Sequence, residues 1–141
     1  EARRRVTFLT DPTLRSNIAY TLQLADVQHW ILNRTDLSGM AKAMVIKLQI
    51  FLLGTIVESV TKNHLHGVCG GNFARRTQYL VDGQVIDAEL KGEIDWLWGL
   101  RNNMHLFQLD CTDWSSTDYT VANHNRAVRA FRRLLTDLGG S

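Results

Sequence analysis

The stretch Ile46 to Val60 constrains this 141-residue chain more than any other. Its most apolar part, Leu48 to Val57, contains only Gln49, Gly54 and Thr55 as breaks and is bounded by Lys47 and Glu58. Crossing a bilayer takes about 20 predominantly apolar residues, so the segment reads as a helix buried in protein and not as a membrane span. A helix that is apolar on more than one face needs neighbours on more than one side, which points to a bundle. The predicted helix covers Met40 to Asn63, with Ile46, Ile50, Leu53 and Val57 in the core and Glu58 interrupting the apolar surface.

The flanking sequence supplies the other helices. Asp11 precedes the chain's single proline, Pro12, and apolar residues recur at Leu14, Ile18, Leu22 and Ala25. This is an Asp cap with proline in the first turn, opening a helix that runs to about Asn33. Thr35 to Gly39 forms a turn in which Ser38 is placed to cap the central helix. His64 to Asn72 carries three glycines and reads as a loop. A short helix from Phe73 to Asp82 then stops at Gly83 as a left-handed cap. Asp87 caps a further helix from Ala88 to about Phe107. Val121, Asn125, Val128, Phe131, Leu135 and Leu138 give the last helix its predicted inward face. The fold class is therefore all-α, a bundle of four long helices and one short one. A single domain spans 1–141, with 1–10 as a flexible arm and 139–141 as a tail.

Composition limits the function classes. An apolar content of 45% with four Trp and five Phe supplies a core for one domain, and the formal charge is only +2. Net charge alone thus does not announce a nucleic-acid partner, and any basic site must be local. Two cysteines, Cys69 and Cys111, are too few for a disulfide scaffold, and reduced thiols in a cytoplasmic setting are the simpler reading. No membrane association and no cofactor are expected.

Chemistry enters with Arg101 and His105. At about 100° per residue, Leu90, Ile94, Leu97 and Met104 share one stripe of the predicted helix, and Arg101 projects from its middle. His105 lies to one side, beside Trp98. An unpaired guanidinium is costly to bury, so Arg101 requires an acidic partner, a subunit interface or an anionic ligand. Glu58 and Glu93 are the candidate acidic partners. Arginine presents a planar fork to phosphate oxygens, and histidine, with an ordinary pKa of about 6.5, exchanges protons near neutrality. The Leu90, Ile94, Leu97 and Trp98 surface, interrupted by Arg101, predicts a symmetric homodimer through this helix or its neighbours.

Taken together, the short helix, its Gly83 stop, the Val85-Ile86-Asp87 start and the segment Leu100-Arg101-Asn102 to His105 resemble the HEPN superfamily, the higher eukaryotes and prokaryotes nucleotide-binding domains. The order of elements matches from about Ile18 to Leu138, and the specific part is confined to 73–107. Many members are metal-independent ribonucleases of toxin, phage-defence and RNA-processing systems. Their motif is an arginine, a polar follower and a histidine, and two copies line one cleft of a dimer. The resemblance implies that Arg101, Asn102 and His105 form such a catalytic set in an endoribonuclease acting at a homodimer interface; Glu58, as a candidate partner for Arg101, and Trp98, beside His105 on the helix wheel, are read as its supporting residues. It also implies an antitoxin or regulatory protein as a partner. One departure is plain: three residues separate Arg101 from His105, where the family usually has four to six. That shorter spacing favours the alternative, a non-catalytic HEPN-like module binding nucleotide, RNA or protein.

Other features carry weaker readings. Arg126, Arg129 and Arg133 fall on one stripe of the last helix, suited either to tracking an RNA backbone or to forming a solvated face. Trp96, Trp98 and Trp114 either stack bases or build the core. His64, His66, Cys69 and Cys111 lack the paired spacing of a zinc site, so no metal is expected. Arg3, Arg4 and Arg5 read as part of a solvated arm.

Overall fold

The computed structural model describes residues 1–104 and 117–140 and is all-helical among them. A 3-10 helix, Ala2–Val6, precedes α1 (Pro12–Arg34), α2 (Gly39–His64), α3 (Phe73–Asp82), α4 (Ala88–Asn102) and α5 (Val121–Leu138). The long helices α1, α2, α4 and α5, with the short α3, form a helical bundle as the periodicity predicts. Local chemistry sets the starts. Asp11 accepts from the backbone N–H groups of Thr13 (2.8 Å) and Leu14 (3.1 Å), with Pro12 in the first turn. Asn72, Asp87 and Thr120 cap α3, α4 and α5 in the same way. Ser38 departs from this rule: it holds the cap position of α2 without a side-chain bond, and Gly39 enters the helix at a φ of 61°.

α2 organises the core by packing against α1, α3, α4 and α5. Ile46, Ile50, Leu53 and Val57 are buried as predicted. The helix is also long and apolar enough to cross a membrane by length and composition alone, a test that core helices pass too. It is not enclosed on all sides, because Leu48 and Phe51 remain exposed. α1 likewise leaves Tyr20, Leu24, Val27 and Trp30 on its outer side.

Four expectations need correction. The first ten residues are packed in place of forming a flexible arm: Ala2, Val6 and Leu9 are buried, and Arg5 pairs with Asp26 of α1. Apolar residues at positions 2, 6 and 9 outweigh the intervening arginines, which keep their charged ends at the surface. Gly83 is not a left-handed cap, having a φ of −81°. Gln84 takes the left-handed conformation at 59°, with its N–H on the Val81 carbonyl and the Val85 N–H on the Leu80 carbonyl, both at 2.9 Å. This is a Schellman ending with glutamine in the usual glycine place. α4 stops at Asn102, short of Phe107, because Asn102 and Asn103 are weak helix formers and Asn103 closes the last turn onto the Gly99 carbonyl. Finally, α5 is rotated from the predicted face. Phe131, Leu135 and Leu138 are inward, but Val121 and Asn125 are exposed and Val128 is half-buried, while His124, Ala127, Ala130 and Leu134 fill the interior.

Two outcomes follow. A non-glycine residue in the left-handed region costs about 1 to 2 kcal/mol, partly offset by glycine's greater entropy loss on folding, so Gln84→Gly should stabilise the chain by about 0.5 to 1 kcal/mol in urea unfolding. His124 is held down from 6.5 to about 4, first by burial and then by the neighbouring His29 ring, against a hydrogen bond with Asn125 that acts upward. The unfolded chain takes up this proton near pH 6.5 and the folded chain only near pH 4. Stability should be full above that window and fall by about 3 kcal/mol as pH drops through it, a slope that His124→Gln should remove from a pH series of denaturant midpoints.

Candidate functional site

The register that buries Leu90, Ile94 and Leu97 carries Arg101, one turn further, onto α2. The contact is made possible by Gly54. A Cβ at Gly54 would lie 2.7 Å from Arg101 Cβ and 3.0 Å from its Cγ, closer than side chains tolerate. The Arg101 stem therefore rests on bare α2 backbone, and its guanidinium reaches residues one turn to either side of Gly54. Its carbon centre lies 5.6 Å from the Phe51 ring centroid, and Nη1 lies 3.2 Å from Glu58 Oε2. Nη1 also donates to Asn102 Oδ1 at 2.8 Å. Of the two predicted acidic partners, Glu58 is thus the one used.

The pair is not sealed. The side chains of Arg101 and Glu58 are 25% and 34% exposed, so the Coulomb gain is at most about 1 kcal/mol. Only Nη1 engages Glu58, in contrast to a two-pronged fork, and Nε is buried without a partner. Among the described residues Arg101 Nη2 makes no hydrogen bond. His105, the third member of the predicted set, lies outside the described residues. Because α4 ends at Asn102, the one-turn helical spacing that would place His105 over Arg101 is not supplied by this helix.

Other predicted residues have partners of their own. The Leu90, Ile94 and Leu97 face of α4 is buried inside the protomer and so is not a surface for a second copy. Trp98 stacks on Phe73 of α3, with centroids 4.8 Å apart and planes 3° from parallel, and its Nε1 is buried and unbonded. Arg126 grips Glu93 with Nε and Nη2 (2.6 and 2.9 Å) and lies 3.9 Å above the Trp96 ring. Its bonds hold the Glu93 carboxyl below the usual range. Arg133 pairs with Asp87 and Glu89. Of the α5 stripe, Arg129 alone has no ion pair among the described residues, so the stripe is mostly a salt-bridged face and not a free cationic track. His64 ends α2, while His66 and Cys69 sit in the following loop. Cys111 and Trp114 lie outside the described residues, and no group of three metal-ligating side chains occurs among those described.

Sequence reasoning overlooked two arrangements. Asp95 of α4 accepts from Thr77 Oγ1 of α3 at 2.7 Å and pairs with Lys91 at 2.5 Å, tying the short helix to the motif helix. His29, His124 and Gln49 also bring unbonded polar atoms into the interior. The signal available for them was a glutamine within the most apolar helix, which has no core reason to be there. Comparison of the chain with protein-family models, curated proteins and solved structures gives no match.

The Gly54–Arg101 contact makes a direct test. Gly54→Ala should cost about 1 to 3 kcal/mol through overpacking, although alanine is about 1 kcal/mol the better helix former. A double-mutant cycle with Arg101→Gly, which removes the opposing Cβ, should recover much of the loss; additive effects would mean that the helices do not meet there.

Proposed function

We propose that this chain is a HEPN-like, metal-independent endoribonuclease, working in the cytoplasm as a homodimer with the two motifs side by side. The observation that supports it is the state of Arg101: its stem is fixed on Gly54 and one nitrogen is steadied by Glu58, while Nη2 makes no hydrogen bond among the described residues at the end of α4, beyond which the sequence continues to His105. A guanidinium fixed in this way meets phosphate with little reorganisation. In the proposed reaction His105 takes the proton from the ribose 2′-hydroxyl, whose oxygen attacks the adjacent phosphorus. Arg101 holds the charge that develops on the phosphate oxygens, and Asn102 orients the guanidinium. The P–O5′ bond breaks, and the second copy's histidine returns a proton to the leaving oxygen. The products are a 2′,3′-cyclic phosphate and a 5′-hydroxyl, with no water consumed. A toxin or phage-defence role, with an antitoxin or regulatory protein as restraint, belongs to the same reading.

The dimer surface in this proposal is the outer side of α2. Ala41, Met44, Leu48, Phe51 and Thr55 recur at heptad spacing, the pattern of a helix that meets another helix. Leu48 and Phe51 are exposed, and Phe51 lies under the Arg101 guanidinium. Packing two copies there brings both motifs to one seam. A second reading, the non-catalytic binding module, draws support from the Glu58–Arg101 pair, which already offsets the cation.

Digestion of labelled RNA separates the two readings. His105→Ala should lower cleavage by about 10²- to 10⁴-fold with little change in RNA affinity, since acid–base catalysis acts in the transition state. Arg101→Ala should lower both, Arg101→Lys should rescue only in part, and EDTA should have no effect. RNA binding without cleavage by the wild type, lost in Arg101→Ala, selects the binding module. In sedimentation, Leu48→Asp and Phe51→Asp should yield folded monomers without activity; active monomers would remove the composite site.

A further inference from the structure

A cavity of about 600 Å³ lies among the N-terminal 3-10 helix, α1, α2 and α5, away from the Arg101 site. Its apolar walls are made by Leu22 and Ala25 of α1, Leu53 of α2, and Phe131 and Leu135 of α5, among other residues. Polar side chains also line it, among them Gln49, His29, Thr7 and Thr136. Gln49, on the inward side of α2, is 3% exposed, and its Oε1 is buried with no hydrogen bond. His29 of α1 is half-buried, with Nδ1 equally unbonded. The mouth carries Arg4, Arg5, Arg132 and Asp26. Arg5 is neutralised by Asp26, whereas Arg4 and Arg132 are exposed and have no ion pair among the described residues.

An unbonded buried amide oxygen costs about 1 to 3 kcal/mol, which a leucine in the same place would avoid. Ligand sites commonly enclose about 300 to 1,000 Å³, mostly apolar, with a few polar groups that fix orientation. Three features coincide here: a void of that size, two lining side chains that each carry a buried hydrogen-bonding atom without a partner, and unpaired cations at its mouth. We propose that this cavity binds a small aromatic anion. Its ring packs among Leu22, Leu53 and Phe131, a polar edge reaches Gln49 and His29, and its anionic group meets Arg4 and Arg132. The inference is independent of the ribonuclease reading, since none of these residues belongs to the Arg101 site.

The test uses two probes that differ in one charged group, 8-anilinonaphthalene-1-sulfonate and its uncharged parent N-phenyl-1-naphthylamine, titrated by fluorescence into the folded protein. The expected result is saturable binding of the sulfonate at one site per chain, and weaker binding of the parent. Arg132→Ala, at an exposed position, should weaken the sulfonate about tenfold, equivalent to one lost charge contact, and leave the parent unchanged. Ala25→Phe should fill the cavity and abolish both. Gln49→Leu should lower sulfonate affinity while raising the melting temperature of the unliganded chain by about 3 °C, because the unmet amide is gone. Unsaturable binding, or affinity indifferent to both Arg132→Ala and Gln49→Leu, would overturn the proposal even if Ala25→Phe did not fold.

Discussion

The close approach of α4 to α2 at Gly54 is the contact on which the rest of the arrangement turns. With no side chain at that point, the helices meet backbone to stem, and Arg101 is laid between Phe51 and Glu58. The same register puts Leu90, Ile94 and Leu97 into the core and turns Trp98 onto Phe73 of α3. A larger residue at 54 would push α4 outward and disturb core, ion pair and motif together, since packed interiors absorb little displacement.

α2 has two distinct faces, and the proposed functions divide between them. The inward face, through Ile46, Ile50 and Val57, closes the core, and through Gln49 and Leu53 it lines the cavity. The outer stripe keeps Leu48 and Phe51 in solvent, at a cost of about 25 cal/mol per Å² that a partner would recover. The helix is thus apolar on its exposed side as well as in the core, and its sequence lacks a strong polar side.

Arginine use follows a similar economy. Arg5, Arg101, Arg126 and Arg133 each face a carboxylate on another helix or on the loop before one, so much of the positive charge serves to clamp elements together. Glu93 and Arg126 sit below the usual carboxylate range and above the usual guanidinium value because each hydrogen-bonds the other. Arg4, Arg129 and Arg132 are among the cations outside these pairs, and they make no ion pair among the described residues.

Helix positions and caps were largely written in the sequence, because apolar period and capping chemistry act over a few neighbouring residues. Asp11, Asn72 and Asp87 cap where local rules place them, and the bundle core of α2 was legible from Ile46 to Val57. Glu58 as partner to Arg101 was also within reach, since a charge on an apolar helix demands a counter-charge. The packed N-terminus, the rotated face of α5, the left-handed Gln84 and the early end of α4 were not, because each depends on which surfaces and bonds are available from other segments. The sequence by itself determined an all-helical chain with an arginine that needs an answer. Tertiary structure alone decided that Gly54 admits its stem, that Glu58 answers it in part, and that His29 and Gln49 share one cavity, for contacts between helices distant in sequence have no local signature.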